Sequence, residues 1–186
     1  MPELVVLPHL TNHAYALEDN IDAHSAADFR SLRRMGMSTV SITRLRVRSW
    51  QFLPAFLFHT ILSAWQARNA TGIQSATLLK DNWRTYWTRT VWTDQSAMKM
   101  FMASGNHRRA MPKLLELCDE ASVGRWNQDD VTPPIWGEVH RRMQYEGRPS
   151  KVNHPSAAQA AFEIPVPQVR PFSQITLKRH FVRDGR

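Results

Sequence analysis

The chain has 186 residues, 24 Lys and Arg against 16 Asp and Glu, a net charge of +8, and 42% hydrophobic residues, enough to bury one core of ordinary domain size. Its single cysteine, Cys118, excludes an intrachain disulfide framework and any multi-cysteine metal site. The lack of an 18-residue apolar run argues against a membrane-spanning helix, and residues 1–20 lack the basic start of a secretory signal, so a reducing, cytoplasmic setting is the expectation.

Composition divides the chain into three zones. Residues 1–36 carry a net charge of −2 with no sustained apolar period and read as an N-terminal extension. Residues 37–128 carry +7 and the strongest periodic patterns, and read as the domain proper. Residues 129–186 carry +3 and seven of the eleven prolines, and read as a C-terminal extension with one helix. No internal repeat or low-complexity tract is present.

Within the central zone, residues 39–48 alternate and are β-branched, which predicts a strand. Residues 51–67 predict a helix, with Ser49 as a potential cap and Pro54 in the first turn, where a missing N–H costs little. Residues 73–80 predict a second strand, Asp81-Asn82 a two-residue turn, and 83–92 a third strand rich in Trp, Tyr and Thr. A helix follows over 93–104, capped by Thr93 or Asp94, then another over 111–120, then a short strand over 122–127. Residues 136–146 predict a helix stopped by Gly147, and the prolines beyond it favour extended chain. The order β-α-β-β-α-β predicts an α+β, ferredoxin-like fold, an antiparallel sheet with its helices on one face.

Two patterns bear on function. The first helix carries no Lys, Arg, Asp or Glu between Gln51 and Ala67, so it needs cover on two sides. The sheet supplies one; the other is the chain's own tail, a second subunit or an apolar ligand. Arg44, Arg46 and Arg48 share one face of the first strand. A basic sheet of this order could stack single-stranded RNA, but strand one is aliphatic and 84–88 lacks the basic–Gly–aromatic run that such modules use, so nucleic acid is disfavoured. The alternative is a solvated or subunit-facing row.

The segment Thr88-Arg-Thr-Val-Trp-Thr-Asp-Gln-Ser-Ala-Met-Lys-Met-Phe101, followed by Ser104 and His107-Arg108, resembles the dimeric α+β barrel superfamily, and within it the antibiotic-biosynthesis-monooxygenase-like group. Thr43-Arg-Leu-Arg-Val-Arg-Ser49, His107-Arg-Arg-Ala-Met-Pro-Lys113 and Glu146-Gly-Arg-Pro-Ser-Lys151 are also similar to an uncharacterised bacterial family distantly related to spheroidene monooxygenase. The resemblance spans 38–156. It implies a homodimer whose two sheets pack face to face, and in each subunit an apolar pocket between sheet and helices. Haem-degrading relatives use an Asn in strand one, a Trp in the second helix and a His after it. Here the His matches His107, the Trp position is Phe101, and the Asn position falls among Thr43 and Arg44.

The resulting expectation is a monooxygenase acting on an apolar aromatic or polyene small molecule, working without a cofactor or with haem. His107 is the candidate base or iron ligand. Trp87, His59, Phe101 and Arg44 are the candidate substrate contacts. Trp87 is central in its strand, and His59 is the strongly polar group midway along an apolar helix. His140 and His154 are too isolated for a metal site. The alternative is a non-catalytic binding or carrier protein using the same pocket, which could hold haem.

Overall fold

The computed structural model describes residues 37–178; the expected extension over 1–36 lies outside the described residues. The elements are β1 (Ser38–Val47), α1 (Leu53–Arg68), β2 (Ile73–Lys80), β3 (Thr85–Trp92), α2 (Gln95–Met102), α3 (Gly105–Leu117), β4 (Cys118–Gln128), α4 (Trp136–Glu146), β5 (Arg148–Pro149), α5 (Ala157–Ala160) and β6 (Gln174–Lys178). The sheet order is β5-β4-β1-β3-β2-β6, and every pairing is antiparallel. Its four central strands, β4-β1-β3-β2, have the ferredoxin-like arrangement, and the fold is α+β.

Local chemistry explains the boundaries. A 3-10 turn over Trp50–Phe52 precedes α1, which takes Pro54 into its first turn. The loop between β2 and β3 is longer than the expected two-residue turn. Asn82 Oδ1 accepts from the backbone N–H of Arg84 and Thr85 at 3.1 and 3.0 Å, which places Trp83 in the loop, 70% exposed, rather than in the strand. Asp94 caps α2 by accepting from Ala97 N at 2.9 Å. The next helix starts at Gly105, not 111, and ends at Leu117, so Cys118 opens the long strand β4 instead of closing a helix. Burial raises the Cys118 thiol pKa to about 12, which makes it inert.

Strand periodicity sorts the sheet into two faces. Ser41, Thr43, Leu45, Tyr86, Thr88, Thr90 and Trp92 face α1, α2 and α3: Phe56 of α1 packs on Tyr86, and Met98 of α2 on Trp92. Val40, Ile42, Leu79, Trp87 and Val91 point the other way. They are covered by the chain's own tail, because α4 presents Trp136, Val139 and Met143 to them at i, i+3 and i+7, and Ile164 completes the cluster. Gln159 fastens the tail by exchanging two 3.0 Å bonds with the backbone of Ala121 and donating to Ser150 O at 2.9 Å. Asp81 accepts from Trp87 Nε1 at 3.2 Å and from Gln168 N at 2.8 Å. β5 and β6 pair with β4 and β2 and cover both edges of the four central strands.

This arrangement bears on three expectations. The sheet face that the resemblance would pair with a second sheet is covered within one chain, where Val40, Ile42, Trp87 and Val91 are 0% exposed. The tail covers that face and not the outer side of α1, where Phe58, Ile61 and Trp65 remain 59–67% exposed among the described residues. The arginine row is not a solvated one at Arg44, which is buried, and both Arg44 and Arg46 are held by carboxylates, Glu120 and Asp119, that compete with phosphates for them. No helix among the described residues is long and apolar enough to cross a membrane.

Candidate functional site

A cavity of about 310 Å³ lies between the sheet and α1, α2 and α3. Small side chains on both walls create it. The floor carries the cross-strand pairs Ser41–Thr90 and Thr43–Thr88, flanked by Ala76 and Ala121, and the roof carries Ser63, Ala64, Ala67 and Ala110. An ordinary sheet–helix interface would fill these positions with Leu, Ile and Val and leave no void. Trp92 forms one wall with its indole N–H donated to Thr90 Oγ1 at 2.9 Å. Phe101 stacks on Trp92 at 5.1 Å between ring centroids.

His107 sits in the first turn of α3, half-buried, with its ring 4.6 Å from that of Phe101. Its position is set from α1. Gln66 Oε1 accepts the His107 backbone N–H at 2.9 Å, while Gln66 Nε2 donates to Ser104 O at 3.1 Å and Phe101 O at 3.3 Å. One amide therefore satisfies an orphan donor of α3 and the carbonyls that close α2, in place of a cap by Ser104. Gly105 makes the turn possible: its φ is +55°, and a Cβ there would meet Gln66 Oε1 at 2.7 Å. Gly105→Ala is expected to cost about 1–2 kcal/mol from the left-handed backbone alone, read by denaturant melts; an unchanged midpoint would refute this account of the turn.

The imidazole Nδ1 lies 3.4 Å from Met102 O, which can only accept, so Nδ1 carries the proton and Nε2 keeps its lone pair. Burial lowers the His107 pKa below its ordinary 6.5, against the opposing pull of the Met102 carbonyl. The positive end of α3 favours the neutral ring as well. At neutral pH the site thus holds an uncharged imidazole among aromatic and hydroxyl groups.

Of the residues singled out from sequence, His107, Phe101 and His59 line the cavity. Trp87 and Arg44 do not. They are cross-strand partners on the opposite face of the sheet, Trp87 in the tail-covered core and Arg44 bound to Glu120 at 2.5 Å. Strand parity excludes both, because Thr43 and Thr88, one residue away, are the ones that point inward. The hydroxyl floor, Gln66 and Arg125 were not anticipated. The floor had a legible signal, small hydroxyls at alternate positions of two paired strands; Gln66 had none. The described residues contain no group of three or more His, Cys, Asp or Glu placed to hold a metal.

No protein-family model matches the chain, and no curated protein matches it. Solved structures do. SnoaB, a cofactor-independent oxygenase from Streptomyces nogalater, is 22% identical over 52% of this chain and 98% of its own, with a TM-score of 0.42. A protein of unknown function from Nitrosomonas europaea is 12% identical over 54% of this chain and 98% of its own, TM-score 0.46. A candidate antibiotic biosynthesis monooxygenase from Chloroflexus aurantiacus is 16% identical over 53% and 93%, TM-score 0.38.

Proposed function

We propose that the chain is a monooxygenase for an apolar aromatic or polyene small molecule bearing oxygen substituents, with His107 as its base. The observation that carries this reading is a neutral imidazole with a free Nε2 lone pair on the wall of a cavity whose other surfaces are aromatic, aliphatic and hydroxyl-bearing. Nε2 takes the proton of a phenol or of an enolisable methylene, and the floor hydroxyls hold the substrate's oxygens. The resulting carbanion or enolate is electron-rich enough to reduce dioxygen. For a methylene, one oxygen atom becomes the new carbonyl, the other leaves as water with the two hydrogens, and the carbon supplies all four electrons.

Haem degradation by the mechanism of the haem-degrading relatives does not fit. Phe101 offers no side-chain N–H, the Asn position falls on Thr43, which has no side-chain amide, or on Arg44, which lies across the sheet, and of that donor set only His107 is present.

Oxygen uptake with an anthrone such as dithranol tests the proposal. The wild-type chain is expected to convert it to the quinone, and His107→Ala to lose at least about 100-fold in rate. Full activity in His107→Ala removes the assignment. A bound ligand without turnover points instead to a carrier, and a red protein with a Soret band to haem binding.

The pH dependence has a definite sign. The base form persists below the ordinary imidazole value, so the acidic limb of the rate profile is expected below pH 6.5. By linkage, the unfolded chain takes up this proton near 6.5 while the folded chain does not. Stability is therefore lost as pH falls from 6.5 towards the folded pKa. An NMR titration of His107 midway above 6.5 would contradict both.

A further inference from the structure

The cavity carries a charge pattern that the base alone does not explain. Among the described residues no Asp or Glu lines it, whereas Arg125 does. Arg125 is the β4 cross-strand partner of Ser41, which in turn pairs with Thr90, so a guanidinium and two hydroxyls form one row across three strands. Its Nη2 reaches Met102 Sδ at 3.6 Å, and Met102 O is the atom facing His107 Nδ1, so cation and base flank the same residue. Arg125 Nε is buried with no hydrogen-bond partner. Arg44, Arg46 and Arg142 all meet carboxylates; among the described residues no ion pair engages Arg125. A thioether is a poor acceptor for a guanidinium, and a buried N–H left unpaired is costly.

We propose that the cavity binds an apolar acid: a flat hydrocarbon body under α1 and a single carboxylate held by Arg125 beside Ser41. The guanidinium fork matches a carboxylate, which is a far better acceptor for its Nη groups than the Met102 thioether. The reacting carbon is thereby oriented relative to His107 from the same end of the cavity. The inference deepens the proposed function and rests on the cavity being its substrate site.

Anthracene-2-carboxylate and its neutral isostere anthracene-2-carboxamide test it, titrated by calorimetry into the full chain. The wild type is expected to bind the carboxylate at least about ten-fold more tightly, the scale of a charged hydrogen bond. Arg125→Gln is expected to abolish that preference while leaving carboxamide affinity within about two-fold, which also shows that the variant is folded. Lys151, exposed near the Ala121 end of β4, lines the cavity away from Arg125. Lys151→Gln is expected to leave the preference intact, which separates a local contact from general positive potential. Equal affinities in the wild type, or a preference that survives Arg125→Gln, overturn the acid alone. If neither probe binds, and filling the roof with Ala64→Trp changes nothing, the cavity is not a ligand site and the proposed function falls with it.

Discussion

A chain ending at Gln128 is expected to lose its cooperative fold. The cut removes Trp136, Val139, Met143 and Ile164, and with them the cover over Val40, Ile42, Leu79, Trp87, Val91 and Trp126. Each such side chain contributes about 1.5–3 kcal/mol when buried. Six of them together approach or exceed a typical total stability of about 5–15 kcal/mol. The cut also strips β5 and β6 from the sheet and leaves the outer edges of β2 and β4 unpaired, an invitation to aggregation. Met143→Ala in the full chain is the milder version, expected to cost about 2–5 kcal/mol by leaving a cavity against Gly124. Light scattering and a thermal melt decide the first case. A soluble dimer of the shortened chain with a sharp transition would mean that a second sheet can replace the tail, and that the covered face is a latent dimer surface.

The sequence made the faces of the sheet legible but not their occupants. Alternation in β1 separates Val40 and Ile42 from Ser41, Thr43 and Leu45 without any knowledge of the fold. It does not say which set meets the helices, because both sets suit a covered strand. That is why Trp87, central and aromatic, could be read as a pocket wall. Its face was settled by Trp136, Val139 and Met143, which lie roughly fifty residues further along and whose destination no local pattern encodes. The lack of charge in α1 implies cover on two sides, yet its Phe58, Ile61 and Trp65 stripe stays open among the described residues. His107 was found through its surroundings in sequence. Gln66, which positions it, was not, because an amide forty-one residues upstream carries no motif. The start of α3 was not legible because a left-handed glycine ordinarily closes a helix, whereas Gly105 (φ +55°) here stands at the start of one.

The second large effect concerns Arg44 and Glu120, which are 4% and 2% exposed. Arg44 Nη1 meets Glu120 Oε2 at 2.5 Å, and Glu120 Oε1 receives Arg46 Nη1 at 2.7 Å and Ser156 Oγ at 3.0 Å. Arg46 has a second acceptor, forking onto Asp119 with two bonds of 2.8 Å, and its pKa is raised chiefly by that hydrogen bond. Arg44 has no such reserve; its Nε already lacks a partner. Glu120→Ala therefore strands a buried guanidinium beside Trp87 and is expected to cost about 3–5 kcal/mol. Replacing both groups, Arg44→Met with Glu120→Leu, removes the charge and the acceptor together and is expected to be close to neutral, since Arg46 keeps Asp119. Denaturant melts of the singles and the double form a cycle whose coupling term measures the pair. The same double variant tests where Arg44 acts. If it sat at the cavity, its loss would weaken binding of anthracene-2-carboxylate. On the opposite face of the sheet it has no access to the ligand, so the stable double variant is expected to bind the probe as the wild type does, and a loss of affinity there would return Arg44 to the site.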